Sequence, residues 1–320
     1  MSYKILSLVL TSLFIGLAID VGRMAYMRRQ GRAITESAAL SAASAIPTYN
    51  QNGDASKLEA MFATSSSSKT AIKQGADRQF SDIEFILHEK QSNSIAPATS
   101  YQTANGIRLT KIFDTPLFFG RLFGVPSMAT YVRAVAILDS IGGAAPNLPL
   151  ALMGCKVAYP GNCGAPKTLV GFNQSPSPEE DSAFTSYFFM DNTSANVFKG
   201  MMNGSIPIPF VKVGNQIELN NGEMASTLQA MEGKCKEVQC SDSKPWCVLL
   251  PVISCDGLKS GHPIQRAQII GFATMCIVNI EAQGNPKTIT ASLQCGVMAE
   301  GASGGGMNFG SYAAAPVLVR

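Results

Sequence analysis

The chain has 320 residues, is 46% hydrophobic and 15% charged, and contains 29 glycines, 17 prolines and eight cysteines at a formal net charge of +3. That composition describes a folded, loop-rich, β-containing protein long enough for two domains plus an anchor, and it excludes a disordered chain. The placement of charge excludes a nucleic-acid binder: residues 1–32 hold Lys4, Arg23, Arg28, Arg29 and Arg32 against Asp20, a sum of +4, so the other 288 residues sum to −1. Such binders spread basic residues over the folded part.

The N-terminal stretch Ile5–Ile46 is the first predicted element. Ile5–Ile19 carries no charge; its fifteen residues make about 22 Å of helix, short of the roughly 20 residues of a comfortable membrane span. Lys4 can snorkel at one end, while Val21, Gly22, Met24, Ala25 and Tyr26 extend the apolar face at the other. Between Asp20 and Ala45 there is no proline, and most residues are good helix formers. One continuous helix of about 40 residues is therefore expected, leaving the membrane near Asp20–Arg23 and stopping at Pro47. Ala33, Ser37, Ser41 and Ala45 recur every fourth residue as a small-residue stripe that allows close contact with a partner helix. The juxtamembrane residues Asp20, Arg23, Arg28, Arg29 and Arg32 form a charged collar suited to anionic headgroups. A cleaved signal peptide, with Gly16-Leu17-Ala18 as the cleavage site, is the rival reading; the unbroken helix favours retention.

Residues 48–79 read as a polar connector, with a weak helix at Ala55–Ala63 and a Ser65–Ser68 linker. Three strands are predicted next, at Ile83–Leu87, Gly106–Phe113 and Ala129–Leu138, the last with β-branched residues and alternation. Between Pro116 and Pro126, Phe118, Phe119, Leu122 and Phe123 fall at helical spacing, so a short amphipathic helix packed in the core is expected there. After a Gly/Pro linker, Ile141–Pro149, strands are predicted at Leu150–Val157, Thr168–Phe172, Cys247–Cys255, Ile269–Glu281 and Lys287–Cys295. Helices are predicted at Ser194–Met202 and Glu223–Met231. Residues 301–320 read as a loose Gly/Ala-rich tail.

All eight cysteines lie in this second half: Cys155, Cys163, Cys235, Cys240, Cys247, Cys255, Cys276 and Cys295. An even number confined to one region, beside an export-type N-terminus, points to disulfides in an oxidising compartment; which of the 105 pairings forms stays open. The spacing lacks the CxxC knuckles of zinc sites, with only His262 nearby, so no metal is expected. Trp246, beside Cys247, is expected to pack on a disulfide. Topology is contested: the arginines after the apolar run favour a cytoplasmic body, the cysteines an exported one. Large domains translocate with little regard to flanking charge, so the cysteines decide.

Catalytic chemistry finds little support. The only histidines are His88 and His262. Gly301-Ala302-Ser303-Gly304-Gly305 has alanine where a trypsin-like serine motif needs aspartate. Glu179-Glu180-Asp181 reads as a solvated loop, and no nucleotide-binding glycine motif is present. No enzyme activity and no cofactor are expected.

Gly16-Leu17-Ala18-Ile19-Asp20-Val21-Gly22-Arg23, followed by the arginine turn and Ala38-Ala39-Leu40-Ser41-Ala42-Ala43, resembles the N-terminus of TadE/TadG-like proteins of the bacterial Tad (Flp) pilus machinery. A second match is Thr115–Val125 followed by Val132–Ala136, which is similar to the family's proline-aromatic turn and alternating strand. The Asp-x-Ser-x-Ser metal signature of the von Willebrand A domain found in larger TadG-type members is missing, as is a pilin-type processing motif.

The resemblance implies a single-pass inner-membrane protein with a periplasmic body, acting without catalysis in pilus biogenesis, adherence or secretion. Its implied partners are the membrane and pilin or platform proteins met through the N-terminal helix, with homo- or hetero-oligomerisation left open. An exported cysteine-rich adhesin independent of pili is the alternative. The expected fold is α+β: a transmembrane and stalk helix (1–46), a small αβ module (47–140), a β-rich disulfide-bonded domain (141–300) and the tail (301–320).

Overall fold

The computed structural model describes residues 3–52, 82–89, 94–98, 104–157, 163–164, 166–171, 182–188, 195–220, 225–258, 264–283 and 287–319. They form two compact units, Met1–Leu138 with Pro316–Arg320, and Asp139–Ala315.

The first unit begins with helix α1, Tyr3–Asn52, which runs through Pro47 instead of stopping there. Proline lacks an N–H and crowds the carbonyl four residues back, a defect a helix tolerates best near its end. The predicted helix at Ala55–Ala63 lies outside the described residues. Strands β1 (Asp82–Glu89), β2 (Ser94–Pro97), β3 (Gly106–Pro116) and β4 (Ser127–Ile137) follow. The last strand of the chain, β18 (Val317–Val319), completes an antiparallel sheet in the order β18-β4-β3-β1-β2. Alternation divides its two faces. Ile107, Leu109, Lys111, Phe113 and Thr115 on β3 are all buried, paired with Ala136, Ala134, Val132, Thr130 and Met128 on β4. Helix α1 packs on these two strands, with Phe113 against Gly31. The opposite face gathers Ile86, Val135 and Ile137 with Ile95 and Val319. The expected stalk is thus in part the helical layer of the module that follows it. The helix predicted between Pro116 and Pro126 is a single 3-10 turn, Gly120–Phe123, inside the β3–β4 connection. A connection that must return the chain antiparallel in ten residues has no room for α-helical turns.

The second unit holds β5 (Ile141–Ala144), β6 (Leu150–Met153), β7 (Lys167–Gly171), β8 (Ser182–Phe188), helix α2 (Ala195–Met202), β9 (Val211–Lys212), β10 (Gln216–Asn220), helix α3 (Ala225–Val238), β11 (Trp246–Ile253), β12 (Ile264–Glu281) and β13 (Thr288–Gln294). Short strands β14 (Val297–Ala299), β15 (Ala302–Ser303), β16 (Met307–Asn308) and β17 (Ser311–Ala313) end it. The pairings close on themselves. β12-β11-β6-β8-β7-β13 returns to β12, and β10 bridges β12 to β8, so two rings share β12, β11, β6 and β8. The long β12 serves four neighbours: β10 at its start, β11 and the short β16 in the middle, and β13 at its end.

Both faces of the shared strands are buried. Val248, Leu250 and Val252 enter a core with Met275, Ile277, Ile289 and the α3 residues Leu228 and Met231. Leu249 and Ile253 enter another with Ile217, Leu219, Ile269 and Phe272. That explains why β11 reads as a continuous apolar run without alternation. Residues 301–320, expected as a loose tail, instead hold β15 to β18. Tyr312 there is 1% exposed and bridges to Ser140. The linker expected at Ile141–Pro149 contains β5, whose close approach to Gly304 leaves no room for a Cβ at Gly142. The expected α+β class is observed as an N-terminal helix followed by a β-rich body with four disulfides. Among the described residues no helix is long and apolar enough to cross a membrane.

Candidate functional site

Along α1 the buried or half-buried positions Gly16, Asp20, Met24, Met27, Gly31, Thr35, Ala38, Ala42 and Ala45 follow one another at steps of three and four, a stripe on one helix face. Where the helix lies closest to its neighbours the stripe carries glycine. A Cβ at Gly16 would sit 2.3 Å from the Phe119 ring, and one at Gly31 would sit 2.5 Å from the Phe113 ring. Thr35 returns its hydroxyl to the Gly31 carbonyl at 2.8 Å, which satisfies a buried polar group inside the stripe.

The exception to this apolar character is Asp20, the residue directly after the apolar run. It is 4% exposed and accepts three backbone hydrogen bonds: from Phe118 N at 2.7 Å to Oδ1, and from Phe119 N and Gly120 N at 2.9 Å each to Oδ2. The sequence prepares the loop for this. Leu117 N donates to Pro126 O at 3.0 Å and Val125 N to Gly120 O at 2.9 Å, closing the loop at its base. Gly124, at φ +80, reverses the chain after the 3-10 turn. The N–H groups at the start of that turn have no partners within it, so they point outward and converge on one anion. Burial works to raise the Asp20 pKa; the donors Phe118, Gly120 and Phe119, together with Arg23, outweigh it and hold the carboxylate below its ordinary value of 3.8. The pair is a clamp: an acid on the helix, a donor nest on the loop.

The clamp shapes its surroundings. Phe119 tucks toward Gly16, and Phe118 stands edge-on to it at 5.2 Å and is 67% exposed. An apolar groove of about 380 Å³ lies between helix and loop, lined by Leu17, Val21 and Met24 on α1 and by Leu117, Leu122, Phe123, Val125 and Met128 opposite.

The other residues singled out from the sequence are dispersed. Arg23, Arg28, Arg29 and Arg32 are all exposed, and Arg32 pairs with Glu36 one turn on at 2.7 Å. Within the proposed contact stripe Ala33 and Ser37 are exposed and Ser41 is half-buried, while Ala45 belongs to the face packed on the sheet. The eight cysteines form four disulfides: Cys155–Cys255, Cys163–Cys295, Cys235–Cys240 and Cys247–Cys276. The first links the ends of the parallel neighbours β6 and β11. The second links the flanks of the paired strands β7 and β13. The third staples the end of α3 to the residues after it, and the fourth joins directly opposed positions on β11 and β12. Trp246 is half-buried against the core that includes Cys235. Among the described residues no three His, Cys, Asp or Glu side chains come together as a metal group. His262 and Glu179-Glu180-Asp181 lie outside the described residues, and Ser303 is exposed on β15.

Sequence reasoning listed Asp20 as part of the charged collar and the Pro116–Pro126 loop as a separate core helix. What it missed is that each answers the other. The signal was available in principle: a carboxylate flanked by Ile19 and Val21 on a helix that must pack needs donors from elsewhere.

Residues 5–45 match the model of the Tad family, Flp pilus-assembly TadE/G-like proteins. The resemblance read from the N-terminus is borne out over that segment. No curated protein and no solved structure matches the chain.

Proposed function

We propose that the chain is a non-enzymatic, membrane-anchored component of a Tad/Flp-type pilus assembly or secretion system that acts in pilus biogenesis and adherence. The observation that carries this reading is the TadE/G-like match over residues 5–45, which spans the apolar run, Asp20 and the stalk. Ile5–Ile19 is the bilayer segment, with the exposed arginines of α1 at the headgroups. Four disulfides support an oxidising, periplasmic location for the body. The exposed Ala33 and Ser37 give α1 a small-residue face for pilin or platform helices.

Deletion of the gene in a piliated host tests the reading: loss of surface pili and adherence, restored by the full chain, is expected, with pilin or platform proteins co-purifying in detergent. Normal pili and adherence after deletion would sink it. N-terminal sequencing of the membrane fraction is expected to start at Met1 or Ser2; a start near Ile19 would mean a cleaved leader. One observation favours a second reading, an exported adhesin independent of pili: the cysteine-bearing residues Asp139–Ala315 form a compact unit of their own. Binding of the purified protein to host cells, undiminished when it comes from a pilus-free strain, would favour the adhesin.

A further inference from the structure

The β3–β4 loop presents its apolar side chains outward. Phe118, Leu122, Phe123 and Val125 are 67%, 76%, 65% and 46% exposed, and only Leu117 among the large apolar residues between the prolines is fully buried. A loop in water does the reverse. Nor is this patch isolated. The clamp holds the loop against Gly16 and Asp20, where the apolar run ends, and Phe14, Ile15, Leu17 and Ile19 of that run are also more than half exposed. Leu17, Val21 and Met24 of the helix and Leu122, Phe123 and Val125 of the loop line the two sides of one apolar groove.

A second observation, independent of side-chain exposure, concerns the backbone. At least seven of the nine N–H groups from Leu117 to Val125 are hydrogen-bonded: Phe118, Phe119 and Gly120 to Asp20, and Leu117, Leu122, Gly124 and Val125 within the loop. Irregular backbone enters an apolar medium only when its polar groups are satisfied internally. Asp20 supplies three of those partners. The charge balance is also one-sided: Pro116–Pro126 contains no acid, its single charged residue, Arg121, is exposed, and so is Arg23, one turn after Asp20 on α1. Both can reach lipid phosphates while the neighbouring rings lie below them.

We propose that the loop Leu117–Val125 is an interfacial membrane wedge. Phe118, Leu122 and Phe123 insert at the boundary between headgroups and acyl chains of an anionic bilayer, and Asp20 fixes the wedge to α1 at the depth where the apolar run ends. The occupant of the groove is the upper part of a lipid acyl chain. This rests on the anchoring reading above and adds to it a second point of membrane attachment, which widens the apolar belt just where Ile5–Ile19 is short.

The test uses the full-length chain in vesicles of phosphatidylethanolamine and phosphatidylglycerol with brominated acyl chains. The sole tryptophan is first removed by Trp246→Phe, and single probes are then introduced as Phe14→Trp, Phe123→Trp and Ala33→Trp. The expected result is a blue-shifted F123W emission quenched by bromolipid about as strongly as F14W, with A33W little affected. Quenching of F14W with F123W no more affected than A33W would overturn the wedge and leave the anchor standing, the loop then facing water or a partner protein. No quenching of F14W would overturn the anchor, and the wedge with it.

Discussion

Asp20 illustrates how a single residue can be both a helix defect and a tertiary determinant. A carboxylate costs little at the end of an apolar run only because three N–H groups meet it. Asp20→Asn offers one acceptor oxygen in place of two and brings donors of its own toward the nest. The expected outcome is a loosened loop, read as faster tryptic cleavage after the exposed Arg121 in detergent-solubilised protein. The pH dependence follows from the depressed pKa: the stabilisation is complete above the unfolded value near 3.8 and is lost as pH falls through the lower folded value. Acid should therefore loosen the wild-type loop as the substitution does. Lys111 presents the opposite sign. Burial at 3% exposure, 5.4 Å from the Phe113 ring, holds its pKa below 10.5. Between the folded value and 10.5 the unfolded chain binds more protons, so stability rises with pH in that window. Thermal unfolding followed from neutral pH to about pH 10 should show that rise in the wild type and its loss in Lys111→Met.

Among the elements, α1 was the most legible. Its apolar run, helical composition and collar all stand in the sequence, whereas the face it buries does not follow from them. Two four-residue small stripes run along the helix. Ala33 and Ser37 looked like the contact face, but the sheet takes Gly31, Thr35, Ala38 and Ala42. Choosing between them needs the rings of Phe113 and Phe119, which come from residues about 80 and 100 positions downstream. Substitution separates the two faces. Ala42→Leu, at a 1% exposed position, should overpack the helix–sheet contact and cost about 1–3 kcal/mol; Ala33→Leu should leave the melting of the isolated protein unchanged. The long apolar strands β11 and β12 were read near their observed positions from β-branched content. The two- to five-residue strands β5, β9, β10 and β14–β18 carried too few residues for a period to register, and their pairing is non-local.

For the molecule as a whole, the disulfides staple the second unit at very different chain separations. Cys163–Cys295 closes 132 residues and Cys235–Cys240 only five. In the chain-entropy account the first restricts the unfolded state by about 5 kcal/mol and the second by about 2 kcal/mol. Paired Ser substitutions should lower the chemical-denaturation midpoint of C163S/C295S more than that of C235S/C240S; equal losses would mean that local packing dominates. The sequence made the existence of bridges legible through the count of eight, while their connectivity rests on a ring of strands that no spacing announces.

The last strand has a consequence for how the chain could be shortened. β4 ends at Ile137 and β18 begins opposite it at Val317, antiparallel. Topologically, then, everything from Asp139 to Ala315 is an oversized turn of a two-strand hairpin, and its removal severs no pairing of the five-stranded sheet. Replacing those residues with a short Gly-containing turn should give a minimal protein that still folds α1 onto its sheet, checked by a cooperative melt and by protection at Arg121. The disulfide-bonded unit is in that sense a cassette, exchangeable without redesign of the part that holds it.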